Sequence, residues 1–197
     1  MKRTYAISTA ILLAATACGG GEPAEEASGA AAAPAAAPAP VAATDDLQTP
    51  DWFVYDEATN MVTLNIVAGA TADLNYWNFN GYTNGAVTVV VPVGATVHIN
   101  FSNEDAMGMA HSIGVAAFSS SPPAMLDLTP VFEGAISQNP ASPTESTTPG
   151  ETESLMFTAG QAGEYSLACY VPGHAVSGMW IGFTVSDSGE AGVRGTL

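Results

Sequence analysis

The sequence predicts an all-β domain, a Greek-key β-sandwich of about seven or eight strands. From residue 50 onward, short runs rich in Val, Ile, Thr, Phe and Tyr are separated by Gly, Asn and Pro, and no helical periodicity is sustained. Several runs place apolar side chains at every second position, which is the period of a half-buried strand. We therefore expect one sandwich domain at residues 50–187, followed by a C-terminal tail at 188–197.

The individual strands follow from this pattern. Residues 61–67 alternate apolar with polar side chains. Residues 96–101 do the same, with Val97 facing inward and His98 facing outward. Residues 86–91 are almost continuously apolar and lead into a turn at Gly94. Further strands are predicted at residues 112–118, 153–157, 163–169 and 180–186.

A Ser-, Pro- and Thr-rich passage at residues 119–151 interrupts this series. A loop of that length is unusual inside a compact domain unless it runs over the surface. We expect a surface excursion with one short strand at residues 131–135.

The N-terminus has the pattern of an export signal. Lys2 and Arg3 precede an apolar run at residues 6–17 that is too short to span a bilayer, so residues 1–17 are interpreted as a signal peptide. Cys18 follows directly and is followed by three glycines, which resembles a bacterial lipobox, although Ala15 stands where Leu is usual. We expect lipidation of Cys18, and the alternative is a soluble secreted protein.

Residues 18–49 predict a flexible tether. They consist mainly of Gly, Ala, Pro and Glu, with little that could pack into a core, and the scattered prolines prevent one long helix. A semi-extended linker reaches up to about 3.1 Å per residue. Such a tether would hold the domain at a membrane while leaving it free to swing.

The charge is strongly negative. The chain carries 19 acidic residues against three basic ones, for a formal net charge of −16, and removal of the signal peptide would leave Arg194 as the one Lys or Arg. The negative electrostatic field of such a chain repels phosphates, so nucleic acid is excluded as a partner. A protein with a basic face would be attracted to it. Solubility in salt or acid would explain the charge equally well.

The second cysteine marks the candidate site. If Cys18 is lipidated, Cys169 has no disulfide partner. One interpretation is that Cys169 is an inert, buried residue. However, Cys169 begins the pattern C-x4-H-x4-M, which continues through His174 and Met179 between two predicted strands. A thiolate, an imidazole and a thioether are ligands that select copper, and a second imidazole would complete a trigonal site with a weak axial methionine.

Two histidines remain to supply that second imidazole. His98 lies in mid-strand on the outward face, whereas His111 lies between a loop and a strand, at one pole of the sandwich, and is the better candidate. Met107 and Met109 are nearby rivals for the axial position, but Met179 has the more suitable spacing. The predicted metal ligands are thus His111, Cys169, His174 and Met179.

The ligand loop, with its C-x-x-P-G-H core and its closing methionine, resembles that of the cupredoxins. The x4/x4 spacing, the segment Asn-Phe-Asn-Gly-Tyr at residues 78–82 and the pair His111-Ser112 are similar to the sulfocyanin branch in particular. The resemblance covers about residues 50–187 and implies the cupredoxin fold and one type 1 copper ion. Around the ligands, supporting roles are expected for Ser112, Asn103, Pro172 and Gly173.

The resemblance implies a one-electron carrier of the cell envelope rather than an enzyme. Its expected partners are redox proteins, such as a cytochrome or a terminal oxidase, that dock near His174, and we expect it to act as a monomer. Three histidines are too few for a multicopper oxidase or a copper nitrite reductase. A copper chaperone or storage protein remains an alternative because of Met107 and Met109, as does an adhesion module without metal.

Overall fold

The computed structural model describes residues 46–197. Within this range the chain forms nine strands and one short 3-10 helix, and no α-helix. The strands are β1 (Phe53–Asp56), β2 (Met61–Ala68), β3 (Val87–Pro92), β4 (Thr96–Asn103), β5 (Gly114–Ala117), β6 (Thr152–Thr158), β7 (Gly163–Ala168), β8 (Trp180–Ser186) and β9 (Gly192–Gly195). The 3-10 helix spans Asp73–Tyr76. No helix in the described range reaches the length and apolar character that crossing a bilayer demands.

The strands form two mixed sheets. One has the order β1-β2-β4-β6 and the other the order β5-β7-β8-β3-β9. Strands β2 and β4 are parallel, as are β3 and β8, and every other named pair is antiparallel. The predicted all-β sandwich is therefore confirmed.

The core lies between the two sheets and follows the predicted alternation. On β4, the side chains of Val97, Ile99 and Phe101 are buried, while His98 is half-buried on the opposite face. These three pack in one apolar cluster with residues of the other sheet, such as Ile181 and Phe183 on β8. Burial of one face of each sheet is what fixes the strand registers.

The structure contains two strands, β1 and β9, that were not predicted. The loop at residues 119–151 lacks the short strand that was expected in it. Strand β1 was not predicted, and β9 lies within the residues assigned to the tail, where it pairs with β3. Residues 131–135 form no strand, and the 119–151 loop makes two isolated bridges, from Ile136 to Gly114 and from Thr147 to His111. The predicted signal peptide and most of the predicted tether lie outside the described residues.

The sheet that contains β5, β7 and β8 determines where the site forms. Ala168 at the end of β7 pairs with Trp180 at the start of β8 and with Gly114 at the start of β5. Cys169 and Met179 are therefore adjacent just beyond the last residue pair of strands β7 and β8. The backbone N–H of Cys169 donates to the carbonyl of Met179 at 3.1 Å. The residues before β5 reach the same end of the sandwich.

Replacement of Ile99 by alanine tests this core. Ile99 is fully buried on β4, which pairs with both β2 and β6, so Ile99→Ala should lower the free energy of unfolding by about 2–5 kcal/mol. Met156→Ala on β6 is the matched control: that side chain is 58% exposed, and its loss should change stability by no more than about 0.5 kcal/mol. Urea unfolding measures both, and similar effects for the two variants would contradict the assigned inward and outward faces.

Candidate metal centre

Three of the predicted ligands converge in the structure. The Nδ1 atoms of His111 and His174 lie 3.2 Å apart, and the Sγ atom of Cys169 lies 3.5 Å from His174 Nδ1 and 4.0 Å from His111 Nδ1. His111 and Cys169 are fully buried, and His174 is 2% exposed. This is the one group of three or more His, Cys, Asp or Glu side chains with metal-binding spacing found among residues 46–197.

The loop between β7 and β8 holds the downstream donors in a compact turn. The backbone N–H of His174 donates to the carbonyl of Val171 at 3.1 Å, and that of Met179 donates to the carbonyl of His174 at 3.0 Å. Gly173 has a positive φ of 90°, a conformation that favours glycine. Its N–H donates to the carbonyl of Ala124, which fixes the turn against the long 119–151 loop.

Met179 is fully buried where β8 begins. Its backbone hydrogen bonds to Cys169 and His174 bring it to the same turn as both donors. The rival thioethers are in a different environment: Met107 is 68% exposed and Met109 is 36% exposed.

His111 is positioned by Asn103 and by the long loop. The backbone N–H of His111 donates to the carbonyl of Thr147 at 3.0 Å. The buried amide of Asn103 donates to the same carbonyl and to that of Met109, both at 2.8 Å, and its oxygen accepts from the N–H of Asp105. The loop at residues 119–151 therefore helps to build the site.

Ser112 links the two ligand loops. Its Oγ accepts from the N–H of Tyr170 at 2.9 Å, and its own N–H points to the Cys169 sulfur at 3.4 Å. Because Ser112 and Tyr170 each follow a predicted ligand, this bond holds the two donors next to one another. Pro172, by contrast, is exposed in the turn.

Two contacts of the site were not predicted. The Nε2 atom of His111 lies 2.8 Å from Oδ2 of Asp105, and both side chains are fully buried. The other carboxylate oxygen accepts from the N–H of Met107. The indole of Trp77 stacks on the ring of His174, with the ring centroids 4.2 Å apart. The spacing Asp105-x5-His111 is too common a pattern to have indicated the first contact, and Trp77 is far from His174 in the sequence.

The Asp105 contact determines which nitrogen of His111 faces the cluster. A carboxylate on Nε2 favours the tautomer with the proton on that atom, so Nδ1 keeps a free lone pair directed at Cys169 and His174. A carboxylate that orients a histidine in this way is a common support in metal sites.

His98 lies outside the cluster, with its Nε2 atom 2.6 Å from Oγ of Ser154 on the outer face of the first sheet. Cys18 lies outside the described residues.

Burial favours the uncharged form of each donor. Burial lowers the pKa of His111, although Asp105 partly offsets this effect. Burial, followed by the proximity of His111, lowers the pKa of His174 to about 4. Burial raises the pKa of the Cys169 thiol, while hydrogen bonds from Ser112 and Val171 act in the opposite direction. The imidazoles are therefore neutral, and the thiolate needs a cation beside it to form.

This donor set fits a metal ion. Two neutral imidazoles and one thiol converge in the interior, and a metal that replaces the thiol proton would balance the buried negative charge. Two imidazole nitrogens, a thiolate and a nearby thioether are the ligands of a type 1 copper ion.

Comparison with known proteins identifies relatives of the chain. The family model described as "Sulfocyanin (SoxE) domain" matches residues 51–192. Sulfocyanin from Sulfolobus acidocaldarius is 27% identical over 139 residues, which cover 68% of this chain and 68% of that protein. Residues 51–192, which the family model matches, include every predicted metal ligand.

Solved structures with a similar chain course include one rusticyanin and two auracyanins. Rusticyanin from Thiobacillus ferrooxidans is 22% identical, with 68% of this chain and 88% of that chain covered and a TM-score of 0.43. Auracyanin from Roseiflexus castenholzii is 23% identical, with 63% and 96% covered and a TM-score of 0.43. Auracyanin A from Chloroflexus aurantiacus, described as a "blue" copper protein, is 22% identical, with 64% and 99% covered and a TM-score of 0.43.

Replacement of Asp105 by asparagine tests its support of His111. Asparagine can still accept the Nε2–H bond, but it removes a buried negative charge that favours the more positive Cu(II) state. The reduction potential should rise by about 60 mV, a tenfold change in the equilibrium constant of a one-electron couple. Protein-film voltammetry measures it. Asp187→Asn, which removes an exposed and solvent-screened charge, should leave the potential nearly unchanged. Equal shifts in the two variants would contradict a local role for Asp105.

Proposed function

Because the chain belongs to the sulfocyanin family, we propose that it is a one-electron carrier with a single type 1 copper ion, bound by His111, Cys169, His174 and Met179. The observation that carries this proposal is the buried convergence of two imidazole nitrogens and one cysteine sulfur, all within 4.8 Å of one another. Copper would supply the exchange between Cu(II) and Cu(I), and the protein supplies a fixed, buried environment for it.

The contribution of the protein is to keep the ligands still while the charge of the site changes. The backbone hydrogen bonds of the 169–179 turn, the Ser112 bridge and the Asp105–His111 contact each restrict one donor. A site that changes its geometry little between two oxidation states needs little reorganisation of its surroundings, so transfer can be fast. The apolar surroundings of the Cys169 sulfur favour the less positive, reduced state.

The proposed docking face surrounds the ligand turn. Its apolar side chains are Met107, Met109, Met125 and Val176, of which Met107 and Met125 are about 70% exposed. The bond from Gly173 to Ala124 brings the loop that carries Met125 beside the turn. An apolar contact area within an acidic surface permits brief, specific encounters with a protein that has a basic rim. We propose a cytochrome or a terminal oxidase as that partner.

The proposed location is the cell envelope, with the domain tethered to a membrane through lipidated Cys18. Support for this comes from the basic and apolar pattern of residues 1–17 and from the composition of residues 18–49. Movement on such a tether would let the carrier shuttle between membrane-associated respiratory components.

A copper chaperone or storage protein is the second candidate function. The observation that favours it is the exposure of the thioethers of Met107 and Met109, because soft sulfur ligands at the surface could receive Cu(I). The buried donor cluster favours the carrier, because a chaperone must release its metal readily.

Addition of Cu(II) tests the carrier function. The wild-type protein should develop a strong absorption band at about 600 nm from the copper–thiolate bond. Cys169→Ser should abolish the band because it removes the thiolate. His98→Ala should retain it because His98 lies outside the cluster. A colourless copper complex of the wild-type protein, or a band that persists in Cys169→Ser, would contradict the proposed site.

The axial position can be tested separately. Met179→Leu removes a weak thioether donor and should raise the reduction potential while the blue band persists, since the axial ligand tunes the potential more than it holds the metal. Met109→Leu is the matched control and should leave the potential unchanged. The reverse pattern in voltammetry, with a shift for Met109→Leu and none for Met179→Leu, would reassign the axial ligand.

A further inference from the structure

Trp77 covers the predicted ligand His174. The two rings are stacked, with their centroids 4.2 Å apart and their planes inclined by 17°. His174 is only 2% exposed, whereas Trp77 is half-buried and packs against the core. The imidazole therefore has little surface of its own, and the indole lies between one of its faces and the exterior.

The backbone that carries Trp77 is in an unusual conformation. Leu74, Asn75 and Tyr76 have positive φ values of 48°, 57° and 68°. Residues other than glycine rarely adopt this region, and such strain persists only where the surroundings hold it in place. This strained turn ends at Trp77, whose N–H donates to the carbonyl of Leu74 at 3.2 Å.

Asn78 holds the turn in place from inside the protein. Its side chain is fully buried, and its amide donates to the carbonyls of Thr71 at 2.8 Å and Asp73 at 3.1 Å. Its oxygen accepts from the N–H of Gly81 at 3.0 Å. Asn78 begins the Asn-Phe-Asn-Gly-Tyr segment, so this segment fixes the residue next to the ligand ring.

The other predicted ligands do not reach the surface. His111, Cys169 and Met179 are fully buried. Among the aromatic contacts in residues 46–197, His111 makes only an edge-to-face contact with His174, whereas Trp77 both touches a predicted ligand ring and keeps part of its own surface exposed.

We propose that the electron passes between the site and a docked redox protein through the stacked indole of Trp77, rather than through an exposed edge of His174. This inference rests on the proposed function. One electron leaves the reduced carrier and enters the oxidised partner, and no bond is formed or broken. The indole provides a rigid apolar contact and is not itself oxidised. The partner surface that fits it is apolar or aromatic, with basic residues around it.

Electron self-exchange between oxidised and reduced copies, followed by NMR line broadening, tests the proposal with the intact protein. High salt is needed because copies with a net charge of −16 repel one another. Trp77→Leu and Trp77→Met keep apolar bulk without a ring, while Trp77→Phe keeps a smaller ring. Trp52→Leu is the matched control, since Trp52 is also half-buried but packs on Tyr82.

The two ring-free variants should exchange about tenfold more slowly than wild type, which corresponds to about 1.4 kcal/mol in activation free energy. Trp77→Phe should recover most of the rate, and Trp52→Leu should match the wild type. A wild-type rate in a ring-free variant that keeps its blue band would overturn the proposal. Loss of the band in both ring-free variants would also overturn it, because the indole would then be needed to hold the site itself.

A measurement on the metal-free protein checks the geometry independently. The ring protons of His174 should be shifted upfield by the indole, and this shift should disappear in Trp77→Leu. Absence of the shift in the wild-type protein would overturn the proposal. Failure of the proposed function is distinguishable, since it would show as a wild-type protein without the blue band, whatever the behaviour of Trp77.

Discussion

The rest of the structure depends on the burial of a thiol and two imidazoles together at one end of the sandwich. A buried charge without a partner is unfavourable, and the Cys169 thiolate cannot form there unless a cation lies beside it. Neither His111 nor His174 provides that cation readily, because burial lowers the pKa of both. A bound metal ion resolves the conflict, which is why the cluster is better explained as a metal site than as part of the core.

The surrounding loops are arranged to maintain this cluster. The β7–β8 turn carries Cys169, His174 and Met179, and the loop before β5 carries His111. The long loop at residues 119–151 contributes the carbonyl of Thr147, which accepts from the N–H of His111. The strained turn before Trp77 places the indole over the ring of His174. The two sheets supply a rigid base, so that loops can hold donors in fixed positions at one end of the sandwich.

The fold and the ligands could be predicted from local patterns, whereas the supporting contacts could not. Strands β2 and β4 alternate strictly, and the C-x4-H-x4-M spacing is specific to one chemistry, so both were readable in the sequence. The four-residue strand β9 begins and ends with glycine and has too short a pattern to stand out. The contacts of Asp105 and Trp77 depend on tertiary packing, which brings each to a ligand ring that no sequence periodicity relates to it.

The central claim is that these side chains bind one copper ion through sulfur and nitrogen. X-ray absorption spectroscopy at the copper edge tests it most directly, because it reports the atoms bound to the metal. We expect one copper per chain, with a short copper–sulfur bond and two nitrogen ligands. A spectrum with only nitrogen and oxygen ligands, in protein that has kept its fold, would contradict it.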